Sequence, residues 1–247
     1  RKEEILLEMS EEEFNLRCTW DFKFFASRFF SKRFGYDPQS FHMEWIEAAE
    51  NNRRVVIEAC PGFGKTTMMG VAYPLWKLYN NPGFVVPVIS KSLGQSTMIL
   101  DLIKRCVYDT PILNDLLPSK PDIDNRTTLR LTDDRVLYCK PNSDNIRMVQ
   151  ADLLIADEVA QYTNGPIFKR DVASRVNSKH GTLIAISSPV HETDFQQELK
   201  NTPGYKTVST RATLDGRLPS DGGKSIWESK FPTNYLKTID LEGVSAF

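Results

Sequence analysis

The chain has 247 residues, 40% of them hydrophobic and 26% charged, with a formal net charge of −1. That suffices for one large domain, or a domain with a small appendage, with a buried core. A charge this near zero excludes blanket attraction to nucleic acid or membrane, so any DNA contact has to come from a local patch.

No apolar run approaches the ~20 residues of a membrane span. The four cysteines, Cys18, Cys60, Cys106 and Cys139, are scattered and only three histidines accompany them. That argues against a zinc site or a disulfide framework and for a reducing, intracellular setting. The opening RKEE is not a signal peptide, and without an initiator Met it points to a piece of a longer protein.

Residues 1–34 mix charge with aromatics (FNLRCTWDFKFFASRFF), and Phe14, Trp20, Phe24, Phe25, Phe29 and Phe30 suggest amphipathic helices packed on the core. FHMEWIEAAENN reads as a further helix. Strands and helices then alternate, the pattern of a mostly parallel sheet covered on both faces. RRVVIEA is a buried strand. Lys65 to about Tyr79 is a helix disturbed near Pro74. FVVPVIS is a strand and QSTMILDLIKRCVYD a helix. TTLRLTDDRVLYC is a hairpin turning at TDDR. DLLIADEVA, GTLIAISSP and YKTVSTRA are the remaining strands. LDGRLPSDGGK, residues 214–224, is a loop able to begin a linker.

Between the first strand and its helix, Ala59-Cys60-Pro61-Gly62-Phe63-Gly64-Lys65-Thr66 fits the phosphate-binding pattern G-x-x-x-x-G-K-[ST], with Ala in place of the first glycine and Thr67 following as a further nucleotide-binding candidate. That position only has to be small. Gly62 and Gly64 let backbone N–H groups close around phosphate oxygens, and the helix adds its N-terminal dipole. Lys65 is expected to reach the β- and γ-phosphates of ATP, and the Thr66 hydroxyl to ligate Mg²⁺. A Gly-rich turn with an accidental GKT is the bland reading; the strand before and helix after weigh against it.

A second strand should bring the metal-positioning acid. DLLIADE supplies Asp157 for Mg²⁺, mostly through water, and Glu158 to orient and deprotonate the attacking water. A solvated acidic pair at a strand end is common by itself; paired with the loop upstream, hydrolysis is the better reading. GTLIAISSP ends in Ser187 and Ser188. In RecA-like ATPases such a strand lies between the loop strand and the acidic strand, where Ser187 and Ser188 would sense the γ-phosphate; Ser-Ser-Pro is also a common way to end a strand. Phosphoryl transfer also wants a cation. Arg147, ten residues before Asp157, is one candidate and equally a surface arginine.

Taken together, these segments resemble the ATPase domain of the large terminase subunit, the DNA-packaging motor of tailed bacteriophages. The likeness runs through ACPGFGKT, YPLWKLYNNPGFVVPVISKS, DLIKRCVYDTPILNDLLP, the Asp-Glu pair, the Ser-Ser-Pro segment and SIWESKFPTNYLKTIDLEGVSAF. It implies a RecA-like P-loop fold of the additional-strand catalytic-glutamate class. A helical extension (1–50), an ATPase core (51–212) and a C-terminal segment (213–247) follow, the last leading in the family to a nuclease domain. No acidic set for a second metal site is recognisable, so no nuclease activity is expected.

The resemblance also implies Arg147 as an arginine finger, although the family usually has glycine where Met148 follows it, and many members carry an arginine inside the loop. In YDPQSFHMEW, Gln39 would read adenine and Tyr36 or Phe41 would stack on it; an ordinary loop-to-helix start explains the same residues. The implied partners are double-stranded DNA, a portal protein, a small terminase subunit and further copies in a ring, in the host cytoplasm at the procapsid and away from membranes. The isolated domain is expected to be mostly monomeric and a slow ATPase. Two other readings compete: a different RecA-like DNA-dependent ATPase such as a helicase, for which one P-loop in 247 residues leaves no room for a second lobe, and a nucleotide-gated switch, against which Glu158 speaks.

Overall fold

In the computed structural model, which describes residues 9–119, 124–143, 150–177 and 179–241, the apolar runs become neighbouring strands of one sheet. The strands are β1 (Arg54–Ala59), β2 (Val85–Ser90), β3 (Asp124–Asn125), β4 (Thr128–Arg130), β5 (Val136–Pro141), β6 (Leu153–Asp157), β7 (Thr182–Ser187) and β8 (Lys206–Thr210). Their order is β3-β4-β5-β2-β6-β7-β1-β8; β3 and β4 join antiparallel, and all other pairings are parallel except β4 with β5, which is antiparallel too. The fold is thus α/β with a mostly parallel sheet, and β7 lies between the loop strand β1 and the acidic strand β6.

Parallel strands covered on both faces read as unbroken apolar runs, with successive side chains going to opposite cores. Val55, Ile57, Ile155 and Ile184 enter one core, and Val56, Leu154, Leu183 and Ala185 the other. The first core is closed by the helices α1 (Glu11–Trp20), α2 (Phe22–Phe34), α3 (Ser40–Asn51), α4 (Tyr73–Asn80) and α5 (Leu93–Asp109). The second is closed by the segment Val159–Val172 and by α6 (Phe195–Lys200). Each fully buried aliphatic or aromatic side chain contributes about 1.5–3 kcal/mol.

The N-terminal helices form where their caps predict. Ser10 and Glu13 exchange side-chain and backbone hydrogen bonds at the start of α1, and Asp21 Oδ1 accepts from Phe24 N at 2.9 Å at the start of α2. Phe22, Phe25 and Phe30 are buried, and Trp76 Nε1 on α4 donates to the Cys18 carbonyl at 2.9 Å, fixing α1 to the core. Trp20 departs from the expected packing. It is the last residue of α1 and is 66% exposed.

Three further expectations are refined. The helix after the phosphate loop is disturbed on the N-terminal side of Pro74: Thr66–Ala72 forms wide π-type turns, in which Tyr73 N donates to Met68 O. Regular α4 begins with Pro74 in its first turn. A proline ring would press on the carbonyl four residues back, and widened turns relieve that contact. The hairpin β4–β5 turns through Asp133 and Asp134, both at positive φ (54° and 57°). Residues 214–224 do not lead away as a linker: Leu214 N donates to Lys224 O at 2.9 Å, a Thr213–Ser225 bridge closes the loop, and the chain returns to bury Trp227.

Candidate active site

The C-terminal ends of β1, β7 and β6 lie side by side, and the strand register decides which residues meet there. Glu58 of β1 is level with Ser187 of β7, and Asp157 of β6 with Ile186, so Glu158 and Ser187 fall next to one another one step beyond. The loop leaving β1 turns back through Gly62 (φ 78°) and Gly64 (φ 81°). Both are left-handed conformations that a side chain would strain. A Cβ on Gly64 would also run into the Tyr36 hydroxyl and come within 3.2 Å of His42 Nε2.

Lys65 is 6% exposed, with its ammonium folded onto the loop. Nζ donates to the carbonyls of Ala59 (2.7 Å) and Cys60 (3.0 Å) and to Ser188 Oγ (2.8 Å). Burial lowers its pKa, while Glu158, Cys60 and Asp157 pull it back up. Thr66 Oγ1 donates to Asp157 Oδ1 at 3.1 Å. Asp157 is 7% exposed, and its carboxyl is pushed up to about 6, first by burial and then by the neighbouring Glu158 charge. Glu158 adopts φ 55°, ψ 45°, a left-handed conformation in a non-glycine residue. Ser187 Oγ stands 3.4 Å from Glu158 Oε2 and accepts from the Ala160 N–H at 3.2 Å. Sequence-selected Lys65, Thr66, Asp157, Glu158, Ser187 and Ser188 are therefore brought together.

Thr66 and Asp157 offer hard oxygen donors on adjacent elements. That donor set fits Mg²⁺, which takes one or two protein oxygens and completes its shell with water and phosphate.

The other side of the loop is aromatic. Phe63 is buried; its ring stacks on Phe231 (5.1 Å, 7°) and meets Phe41 and Trp227. What Phe63 can offer a phosphate is backbone, and its N–H already bonds the Cys60 carbonyl at 3.3 Å. Phe41 is 1% exposed, wedged between His42, Trp45, Phe63 and Trp227, so it cannot stack on a base. Tyr36 turns inward: its hydroxyl hydrogen-bonds the Thr67 hydroxyl, and its ring lies edge-on to Trp227 at 4.7 Å. Gln39 sits at the start of α3 with its side-chain amide donating to the Asp37 carbonyl at 2.7 Å. Pro61 is at the exposed loop tip beside Gly62. Arg147 and Met148 lie outside the described residues.

Sequence reasoning missed His42. Its Nδ1 accepts from Gln39 N at 2.9 Å, so Nε2 carries the proton and donates to the Phe63 carbonyl at 2.8 Å. Burial drops its pKa to about 4, only partly offset by that carbonyl, and keeps the ring neutral. Nothing in the local sequence separates it from an ordinary helix-start histidine. Trp227, 1% exposed, completes the cluster from 164 positions beyond Phe63 (227 minus 63). A separate groove of ≈ 830 Å³, lined by Phe14, Arg28, Tyr79 and Asp109 among others, contains none of these loop residues.

No protein-family model matches the sequence, and no curated protein matches it. Solved structures share the fold. The large terminase ATPase domain of Thermus phage P74-26 superposes with a TM-score of 0.61 at 16% identity, over 81% of this chain and 90% of that one. The HK97 bacteriophage large terminase gives 0.69 at 14% identity, over 91% of this chain and 51% of that one. A large terminase from a thermophilic bacteriophage, in complex with ATP-gamma-S, gives 0.54 at 16% identity, over 76% of this chain and 50% of that one. The chain spans about half the length of these last two proteins. At these identities the likeness establishes the fold, that of large terminase ATPase domains.

Proposed function

We propose that this chain is the ATP-hydrolysing motor domain of a viral DNA-packaging terminase. The observation that carries the reading is the convergence of Lys65, Thr66, Asp157, Glu158 and Ser187 at three adjacent strand ends, with Glu158 held left-handed. Support for the motor role comes from the shared fold and from the neighbour that holds ATP-gamma-S. The division into a helical extension (1–50), a core (51–212) and a C-terminal segment (213–247) belongs to the same proposal.

In this mechanism the loop Pro61–Thr67 wraps the phosphates, with Pro61 shaping the turn and the residues after it offering backbone N–H groups, and Lys65 exchanges the Ala59 and Cys60 carbonyls for β- and γ-phosphate oxygens. Thr66 and Asp157 would hold Mg²⁺, which when bound neutralises charge on those oxygens. Glu158 orients the attacking water and takes its proton. Ser187, bonded to Glu158, and Ser188, bonded to Lys65, stand where loss of the γ-phosphate changes both partners. Arg147 is the proposed transition-state cation, supplied to a neighbouring subunit, and Gln39 the proposed adenine reader. Double-stranded DNA, a portal protein, a small terminase subunit and further copies in a ring are the proposed partners, at the procapsid in the host cytoplasm. Among the described residues no helix is long and apolar enough to cross a membrane.

The test is ATP hydrolysis by the wild type and by Glu158→Ala. Removing a general base should slow turnover by about 10²–10⁴-fold while binding of a non-hydrolysable analogue survives. Equal turnover in the two proteins would exclude this mechanism.

A further inference from the structure

The passage Ile226–Phe231 takes no part in the reaction just described, yet it lies on the nucleotide loop. Lys230 Nζ donates to the Gly62 carbonyl at 2.8 Å. The same ammonium stands 4.5 Å from the ring centroids of both Tyr36 and Trp227 and 5.5 Å from that of Phe231. Phe231 covers the loop tip so closely that a Cβ on Gly62 would fall 2.9 Å from its ring. The loop itself brings no cation before Lys65, because its interior is Cys60, Pro61, Gly62, Phe63 and Gly64. At the tip, the Gly62 carbonyl is met by a charge from far along the chain.

We propose that Lys230 is a positioning residue of the nucleotide site: it holds the loop tip in its phosphate-receiving turn and brings, in cis, a positive charge to a loop whose sequence has none ahead of Lys65. The inference rests on the ATP-binding reading above. The physical argument has two parts. A charge-assisted bond to a carbonyl is roughly twice as strong as a neutral one. The Tyr36 and Trp227 rings, each 4.5 Å from the ammonium, add cation–π attraction that favours this position of an exposed side chain. Lys230 contacts backbone on the outside of the loop and not the reacting atoms. Its contribution is therefore the same in ground and transition states, and it appears in KM with kcat nearly untouched.

The experiment uses the full chain with Mg²⁺ and a fluorescent ATP analogue, together with steady-state hydrolysis. Lys230→Met keeps the alkyl stem against the rings but loses donor and charge; Lys230→Arg keeps both. In Lys230→Met, Kd and KM should rise about five- to tenfold with kcat within about twofold, and Lys230→Arg should recover most of the loss. Lys230→Gln serves in place of the Met variant if the latter does not fold, as judged by its thermal melt. An unchanged Kd in Lys230→Met, an equal loss in the Arg variant, or a loss confined to kcat would each overturn the assignment. Analogue binding that is the same in wild type and Lys65→Ala, or missing from both, would instead bring down the ATP reading, and this proposal with it.

Discussion

The loop between β1 and its helix is held by two surfaces of opposite chemistry. On the inner side Lys65, Asp157, Glu158 and Ser187 form a small, charged group: an ammonium on backbone carbonyls, a carboxyl forced up to about 6, a glutamate in a left-handed turn. On the outer side Phe41, His42, Phe63, Trp227 and Phe231 form a neutral, close-packed cluster. The inner side keeps unfavourable arrangements that a ligand can relieve. The outer side supplies the rigidity that lets them persist.

If that division is right, substitutions on the two sides should fail in different ways. Lys65→Ala should have the largest effect, lowering ATP turnover by about 10²–10³-fold or more, since a preorganised phosphate contact is lost; hydrolysis near the wild-type rate would remove the inner side's role. Trp227→Ala should instead cost about 3–5 kcal/mol of stability in equilibrium denaturation, the range for truncating a buried aromatic. A loss below about 1 kcal/mol would mean the outer cluster is no anchor.

The pH dependence sharpens the contrast because the two sides titrate with opposite sign. His42 falls from 6.5 to about 4 on folding, so the unfolded chain binds more protons in that window. Its contribution is complete above about 6.5 and is lost as pH falls toward 4. Asp157 rises from 3.8 to about 6, so the folded chain binds more protons there, and this group costs stability as pH rises through 4 to 6. Without nucleotide or divalent cation, Asp157→Asn should be more stable than wild type by about 1–3 kcal/mol at pH 8, with the gap closing near pH 4. A gap that stays constant with pH would show that Asp157 is not the strained carboxyl. The smallest effect belongs outside both sides. Trp20→Ala, at an exposed helix end, should shift the denaturation midpoint by no more than about 0.5 kcal/mol equivalent.

How much of this the sequence reveals follows the range of the interactions involved. Strand runs, the phosphate loop and the acidic pair are local patterns, and RVVIEA, VVPVIS, LLIAD and TLIAIS each became a strand. Trp20 follows the same apolar spacing as Phe24 and Phe25 but lands on the solvent side of a helix end, where periodicity carries least weight. Phe41 looks like a base-stacking residue until its neighbours are known; Trp227 and Phe63, far away in the chain, bury it. His42 and Lys230 are identified only by the carbonyls they meet, Phe63 and Gly62, and long-range pairings of that kind leave no periodic trace.

The backbone of Glu158 has a consequence for anyone who would stabilise this chain by design. A left-handed glutamate costs about 1–2 kcal/mol relative to glycine, so a procedure that scores only folding free energy would replace it, and the product should melt higher. That variant would keep the strand, the loop and the aromatic packing, and lose the one carboxylate bonded to Ser187. If Glu158 is the general base proposed above, selection for thermal robustness and selection for turnover pull this position in opposite directions.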